Sequence, residues 1–201
     1  MDIDLITNIL YAMIMTGTPL LLVALGEMVC EKSGVLNLGQ EGMMLMGAVA
    51  GFIAMYHTES YTLGFIFAIL VGIVMSLLFA VIALQLNANQ VAAGLALTIF
   101  GTGLSAFLGS DYEGKQISVL PSLAIAELQH IPLIGKAIFA QNAIVYLSWF
   151  LVIVVYLFFR YHRQGLSVRA VGEDPSVASN LGLPVMLIRY LSVAFGGAMA
   201  G

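Results

Sequence analysis

Charged residues are scarce in this sequence. Only 9% of its 201 residues are Asp, Glu, Lys or Arg, whereas a typical soluble domain has about 25%. Cysteine is scarcer still: Cys30 stands alone, which excludes an intrachain disulfide, and no cluster of Cys and His has the spacing of a zinc site. The net charge of −4 provides no cationic surplus for a phosphate backbone, so we expect no nucleic-acid partner.

Motifs of the common catalytic machineries are missing as well. The sequence has no GxxxxGKS/T phosphate loop, no HExxH zinc motif and no GxSxG nucleophile elbow. Its histidines, His57, His130 and His162, lie in polar connections, where we expect them to be solvated or at an interface. We therefore predict no catalytic residue, no metal site and no enzymatic activity.

Apolar residues dominate what is present. They make up 61% of the chain, which is far more than a soluble core can bury, so we predict a polytopic membrane protein. A bilayer core of about 30 Å needs roughly 20 helical residues, and the chain divides readily at that length. The predicted fold is all-α, a transmembrane helical bundle with five complete crossings and a truncated sixth. The crossings are expected at Leu5 to Gly26, Leu36 to Tyr56, 62 to 84, 90 to 109 and Ala137 to Phe159, with the sixth beginning after Arg189.

Polar clusters mark the connections between these crossings. Gln85 to Gln90 predicts a turn between the third and fourth, and residues 110–136 predict an extramembrane loop with charges and prolines. Basic residues stay preferentially on the cytoplasmic side, and four arginines lie within 160–189. We therefore expect 160–189 on the inner side, and parity then places residues 27–32 inside and the N-terminus outside.

Glycines recur at a spacing that favours helix packing. Both Gly47 to Gly51 and Gly197 to Gly201 have the GxxxG form, which allows helix backbones to approach closely. These motifs predict tight packing and no particular activity.

The first unusual segment runs from Gly26 to Ala48, between the first two crossings. It is rich in glycine and carries three carboxylates, an Asn and a Gln. Irregular backbone at membrane depth persists only where it is buried in protein or lines a watery cavity. An ionisable residue such as Glu41, next to an apolar run, is therefore a candidate for a solute pathway. The alternative is a plain cytoplasmic turn in which Asn37 and Glu41 cap the next helix.

The second unusual segment runs from Gly165 to Pro184. Asp174 is suited to cap a helix that begins at Pro175, and Gly182 with Pro184 is suited to end it two turns later. So short a helix is not stable alone in water, so it needs a partner surface. We expect it to dock into a groove of another protein. The alternative is a short helix that packs only on the membrane surface.

Both segments resemble motifs of the integral-membrane permease subunits of ABC importers, in the group for nucleosides, ribose and branched-chain amino acids. Gly26 to Ala48 is most similar to the nucleoside-type branch. Arg169 to Pro175, followed by Ala178 and Gly182, resembles the cytoplasmic coupling helix of that group, which contacts the ATPase subunit. Asn89 to Leu97 and Ile131 to Gly135 are similar to further stretches of that branch.

The resemblance implies a function and a set of partners. One of two membrane subunits, in a homodimer or heterodimer, would form the path of a polar solute through the cell membrane. A separate cytoplasmic subunit would hydrolyse ATP, so this chain itself needs no cofactor, and an extracytoplasmic solute-binding protein would deliver the cargo. Residues 1–201 are expected to form a single multi-pass permease domain, with 160–189 as the cytoplasmic loop that holds the coupling helix. Because the family's chains continue for several more crossings, we expect C-terminal truncation.

The resemblance also suggests two groups of functional residues. Those expected to line the solute pathway, where they replace the hydration of a nucleoside's hydroxyls, are Asn37, Gln40, Glu41, Asn87, Asn89 and Gln90. Those expected to contact the ATPase subunit or cap the coupling helix are Arg169, Gly172, Glu173, Asp174, Pro175, Ala178 and Gly182. The turn at Asn87 to Gln90 has a solvated position at the cytoplasmic face as its alternative. For the cargo, a sugar or a branched-chain amino acid stays open, and so does an ATPase-independent channel or secondary transporter.

Overall fold

The computed structural model of the chain describes residues 3–118, 120–122 and 135–201. In this part of the chain the regular structure is helical, apart from one isolated bridge between Ser122 and Asn142. A π-helical turn, Val81–Gln85, extends the third helix, and a 3-10 turn, Ser110–Tyr112, extends the fourth. The predicted all-α class is thus confirmed. The helices are α1 (Ile3–Lys32), α2 (Gln40–Thr58), α3 (Tyr61–Ala80), α4 (Gln90–Gly109), α5 (Gly135–Phe139), α6 (Ala143–Tyr161), α7 (Arg163–Glu173), α8 (Pro175–Asn180) and α9 (Val185–Ala200).

Four of the described helical segments are long and apolar enough to cross a membrane. They are Leu5–Lys32, Tyr61–Gln85, Gln90–Tyr112 and Ala143–Tyr161, and they correspond to the first, third, fourth and fifth predicted crossings. The second predicted crossing corresponds to α2, whose 19 residues begin with polar Gln40 and Glu41. The sixth corresponds to α9, an apolar helix of 16 residues. This helix begins at Val185 and contains Arg189, so the predicted start after Arg189 is wrong. The guanidinium donates to the Ser33 carbonyl inside the protein and does not delay the helix.

The first two predicted crossings also differ from the structure at one end. Helix α1 continues past Gly26 to Lys32, because the carboxylate of Glu27 finds hydrogen-bond donors inside the protein and does not end the helix. Helix α2 begins at Gln40 instead of Leu36, because residues 33–39 form the turn between the two helices.

The fifth predicted crossing is divided at its start. Ala137 belongs to the short helix α5, and α6 begins at Ala143, where the side chain of Asn142 accepts a hydrogen bond from the Val145 N–H at 3.4 Å. Residues 119 and 123–134 of the loop predicted at 110–136 lie outside the described residues, and they include His130 and residues 131–134 of the stretch similar to the family.

The chain forms two compact units. The first comprises the described residues within Met1–Leu22 and Ser118–Leu157. In it, Gln141 is buried, and its side-chain amide donates to the carbonyl oxygens of Ala137 at 2.7 Å and Tyr11 at 3.3 Å.

The second unit comprises Val23–Ile117 and Phe158–Gly201 and contains both unusual segments. Here α3 packs against α2 and α9, and α2 packs against α4. Among the fully buried side chains of its core are Cys30, Val35, Met43, Phe79 and Val193.

Glycines permit the closest of these helix contacts. A Cβ atom on Gly42 of α2 would lie 2.7 Å from the carbonyl oxygen of Leu97 on α4. Gly197 of α9 packs more closely still against Gly72 and Ser76 of α3, where a Cβ would collide with both. A Cβ on Gly47 would likewise lie 2.7 Å from the carbonyl oxygen of Gly201, so the tight packing predicted from the GxxxG spacing is confirmed for both motifs.

Candidate functional site

The turn between α1 and α2, residues 33–39, begins with a helix-ending motif. Gly34 has φ +77, the left-handed conformation that favours glycine. The Gly34 N–H donates to the Glu31 carbonyl at 2.9 Å, and the Val35 N–H donates to the Cys30 carbonyl at 3.2 Å. This is the Schellman arrangement, which satisfies the last carbonyls of a helix. The Ser33-Gly34-Val35 sequence is therefore what ends α1.

Glu27 holds this turn in place. Its Oε1 accepts from the backbone N–H of Asn37 at 3.1 Å, and its Oε2 accepts from the side-chain amide of Gln40 at 2.6 Å. Asn37 is fully buried, and its own Oδ1 accepts from the Gly39 N–H at 2.9 Å. We call Glu27, Asn37 and Gln40 the Glu27 cluster.

Sequence reasoning missed Glu27, although a signal was available. An ionisable residue within a membrane-length helix is a functional candidate by default, and Glu27 lies within the span Leu5–Lys32. Its partners are 10 and 13 positions away, a spacing that no local motif describes.

Helix α4 covers the other side of the turn. Gln90, in its first turn, accepts a hydrogen bond from the Leu36 N–H at 2.8 Å, and the Thr98 hydroxyl donates to the Leu38 carbonyl at 2.9 Å. A Cβ on Gly94 would lie 2.7 Å from the Leu38 nitrogen, so the turn backbone rests directly on the helix.

The six predicted pathway residues are placed in two environments. Asn37 and Gln40 are buried in the Glu27 cluster, and Gln90 contacts the same turn. The other three are exposed. They are Glu41, in the first turn of α2; Asn87, which has φ +50; and Asn89, whose side chain caps α4 by accepting from the Ala92 N–H at 3.1 Å.

The capping alternative for Asn37 and Glu41 is wrong. The residue that precedes α2 is Gly39, and no side chain caps this helix end. Asn37 instead accepts from Gly39, before the helix begins. Within the Glu27 cluster, Gln40 Oε1 is buried without a hydrogen-bond partner among the described residues.

Helix α8 is the short capped helix expected after Asp174, and the prediction is confirmed. Asp174 Oδ1 accepts from the N–H groups of Ser176 at 2.8 Å and Val177 at 3.1 Å, and Pro175 occupies the first helical position. The hydroxyl of Ser176 also donates to Oδ1, and together these donors hold the pKa of Asp174 below its usual range.

The end of α8 also follows the predicted signal. Gly182 has φ +82 and donates to the Ser179 carbonyl at 2.9 Å, while the Leu183 N–H donates to the Ala178 carbonyl at 3.1 Å. This is a second Schellman motif. The helix itself has six residues, Pro175–Asn180, because Leu181 and Gly182 belong to the cap.

The segment from α7 to α8 presents a mixed surface. Ala178 is buried, whereas Val177 is 52% exposed and Leu181 is 75% exposed. Glu173 and Asp174 are exposed beside them. On α7, Arg169 is exposed and its guanidinium lies 5.5 Å from the centroid of the Phe159 ring. The surface of this segment therefore combines apolar side chains with charges of both signs.

Helix α7 itself was not predicted. Its buried positions, Gly165, Val168 and Val171, recur every three residues, which is the helical signal that was available. Gly172 lies against the end of α1, because a Cβ there would collide with the Lys32 carbonyl oxygen and lie 3.1 Å from the Gly34 nitrogen. The two unusual segments therefore touch each other.

Comparisons with known proteins give the chain its family. Residues 9–201 match the family described as branched-chain amino acid transport system / permease component. A putative glucose ABC transporter permease protein of Haloferax volcanii is 42% identical over 198 residues, which cover 96% of this chain and 60% of that protein. The nucleoside ABC transporter permease protein of Lactococcus lactis subsp. cremoris is 32% identical over 204 residues, which cover 94% and 63%. The guanosine ABC transporter permease protein of Bacillus subtilis is 31% identical over 221 residues, which cover 100% and 67%.

No solved structure matches the chain. The chain spans 60% of the length of the Haloferax relative and 63% of the Lactococcus relative. The family match over residues 9–201 confirms the resemblance carried by the two unusual segments, and four helices able to cross a membrane agree with a multi-pass protein of the cell membrane. The chain belongs to the ABC transporter permease family whose model is the branched-chain amino acid transport system permease component.

Proposed function

We propose that the chain is a membrane-spanning subunit of an ATP-driven importer and that it carries a polar small solute. A nucleoside is the first candidate for this solute. In this proposal α2 is a fifth complete crossing and α9 begins a sixth. The observation that carries the proposal is α8, a separately capped helix with exposed apolar side chains, in a chain of an ABC permease family.

The partner of α8 is proposed to be a cytoplasmic ATP-binding subunit. A helix of six residues does not persist alone in water, and here its two capping motifs hold it in shape. Exposed Val177 and Leu181 offer apolar contacts, and Arg169, Glu173 and Asp174 offer charged ones. Such a helix fits a groove on another protein. ATP is used by that subunit, and this chain holds no cofactor.

Two further partners complete the proposed assembly. A second permease subunit, identical or different, provides the other half of the path, and a solute-binding protein outside the cell delivers the cargo. Closure of the ATP-binding subunits pushes on the residues from Arg169 to Gly182, including Gly172, Pro175 and Ala178. Packed helices respond by a rigid-body change between two arrangements, which gives alternating access.

The cargo is proposed from the names of relatives and from the polar residues. Two relatives are named for a nucleoside and for guanosine. Sugar is the second candidate, because the relative that is 42% identical is named for glucose. Nucleosides and sugars both carry hydroxyl groups. Amide and carboxylate side chains are able to form the hydrogen bonds that these hydroxyls otherwise make with water. The pathway groups we propose are Asn37, Gln40, Glu41, Asn87, Asn89 and Gln90.

Uptake by the full transporter in proteoliposomes tests the proposal. We expect labelled guanosine to enter only when ATP, the ATP-binding subunit and the binding protein are all supplied. A contrary result is inhibition of this uptake by unlabelled glucose or leucine at a lower concentration than unlabelled guanosine requires. That result would assign the cargo to sugars or to branched-chain amino acids, respectively. Uptake that needs neither ATP nor a second subunit would identify a channel or secondary transporter and overturn the proposal.

A further inference from the structure

The α7–α8 segment and the turn after α1 meet at one contact. It is formed by Lys32, Ser33 and Gly34 at the end of α1, Gly172 in the last turn of α7, and Arg189 in α9. We call these five residues the joint. All of them lie in the second unit.

The joint is a contact between backbones. A Cβ on Gly172 would collide with the Lys32 carbonyl oxygen, and a Cβ on Gly34 would lie 3.2 Å from Gly172 Cα. Because no side chain lies between the two backbone segments, a change of rotamer cannot let one segment move closer to the other. Close-packed interiors of this kind transmit displacement. A push on the end of α7 must therefore move the end of α1 or break the contact.

Arg189 attaches a third element to the same point. Its Nε donates to the Ser33 carbonyl at 3.3 Å, and its Nη2 atom would lie 3.2 Å from a Cβ on Gly34. The side chain is half-buried, and Ser33 is fully buried. The guanidinium thus holds α9 and the turn together where α7 meets them.

The Glu27 cluster connects the joint to α2. Glu27 belongs to α1, yet it binds Asn37 in the turn and Gln40 in the first turn of α2. Both oxygens of one carboxylate therefore tie the two sides of the turn to each other. A displacement of residues 32–34 reaches the start of α2 through this carboxylate as well as along the backbone.

We propose that the contact of Gly172 with Lys32–Gly34 transmits the movement of α8 to the start of α2, with Glu27 and Arg189 as positioning residues. This inference rests on the proposed function, because the movement comes from an ATP-binding subunit at α8. Gln40 and the neighbouring Glu41, both proposed pathway groups, lie where the transmitted movement arrives.

A thiol on the turn gives a readout that needs no transported solute. Leu36 is exposed and lies between Gly34 and Asn37, so Leu36→Cys reports the accessibility of the turn to a water-soluble maleimide. The native Cys30 is fully buried and stays silent in this experiment. Labelling is measured in the full transporter with its ATP-binding subunit bound, first with ADP and then with a non-hydrolysable ATP analogue.

We expect the ATP analogue to change the labelling rate of the Leu36→Cys transporter by about fivefold, the low end of coupling between linked sites. Adding Glu27→Gln is expected to abolish this nucleotide response while the ATP-binding subunit stays bound. Adding Gly172→Ala is expected to abolish the response as well, because the added Cβ separates the two backbones. The matched control is Gly103→Ala in α4, where a Cβ meets nothing within 4 Å, and it keeps the full response. Loss of response with the ATP-binding subunit still bound is a result that a merely structural defect at the docking surface does not produce.

If Gly172→Ala does not reach the membrane, Arg189→Gln tests the inference instead. It leaves the backbone contact between Gly172 and Lys32–Gly34 unchanged and is also expected to abolish the response. A full response in Glu27→Gln and in Arg189→Gln overturns the inference. The proposed function fails on a different observation. In that case the unmodified chain binds no ATP-binding subunit, or binds it in a way that does not depend on Asp174 and Glu173.

Discussion

The side-chain amide of Gln40 donates a 2.6 Å hydrogen bond to the carboxylate of Glu27, which joins the last turns of α1 to the first turn of α2. The second carboxylate oxygen is occupied by the Asn37 N–H. One side chain therefore fixes both sides of the turn, and its removal leaves a buried amide and a backbone N–H without their acceptor.

Glu27→Ala is expected to lower the free energy of unfolding by about 1–3 kcal/mol, the usual cost of leaving buried polar groups unpaired. Thermal unfolding of the purified protein in detergent measures the change. Glu31→Ala is the control, since Glu31 is one turn further along α1 and exposed, and such surface changes stay within about 0.5 kcal/mol. Equal effects of the two substitutions would contradict the role of Glu27.

Asp174→Ala is expected to remove the cap of α8, because the N–H groups of Ser176 and Val177 lose their acceptor. Hydrogen exchange at those two amides should accelerate. The double variant with Glu173→Ala should uncouple transport from ATP hydrolysis without affecting membrane insertion. Asp174→Ser, which keeps a capping oxygen, should retain slow exchange. Unchanged uptake and unchanged ATPase association in the double variant would defeat the coupling role.

The cap of α8 is also expected to respond to acid. Hydrogen bonds from the Ser176 hydroxyl and from the N–H groups of Val177 and Ser176 lower the pKa of Asp174 in the folded state. A lowered folded pKa means that the contribution is complete above the ordinary aspartate pKa and is lost as the pH falls through the lowered value. After correction for intrinsic exchange, protection of the Ser176 and Val177 amides should decrease only in that acidic range. Asp174→Ser removes the carboxyl, and its protection should show no such step.

Glu41→Gln is expected to lower solute uptake while the ATP-binding subunit stays attached, because Glu41 is exposed at the start of α2 and is a proposed pathway group. The comparison is uptake per bound ATP-binding subunit, measured beside the unmodified protein. Uptake at the unmodified rate would remove Glu41 from the pathway. The substitution keeps the size and polarity of the side chain, so a fall in uptake reports the loss of charge.

Features specified by neighbouring residues were predictable from the sequence. The cap at Asp174, the first position of Pro175 and the left-handed Gly182 all act within one or two turns, and each appears as expected. The same local chemistry at Gly34 would have placed the end of α1 at Lys32. The charge of Glu27 was instead interpreted as the end of an apolar run, which placed the helix end six residues too early.

Features that depend on distant residues were not predictable in this way. The hydrogen bonds of Glu27 reach across the turn, and the contact of Gly172 with Lys32 joins residues far apart in the sequence. Helix α7 was missed because its buried positions, Gly165, Val168 and Val171, lie in a polar stretch without a long apolar run. The composition of α7 and of the turn after α1 does not indicate that the two segments contact each other.

Residues 33–39 have the composition of a variable surface loop, yet they are enclosed by α4 on one side and touched by Gly172 and Arg189 on the other. Loops of homologous proteins usually tolerate insertions and sequence drift. Saturation mutagenesis of this chain should therefore show that the buried positions of this connection, Ser33, Val35 and Asn37, tolerate fewer substitutions than the exposed positions of the two helices that it joins.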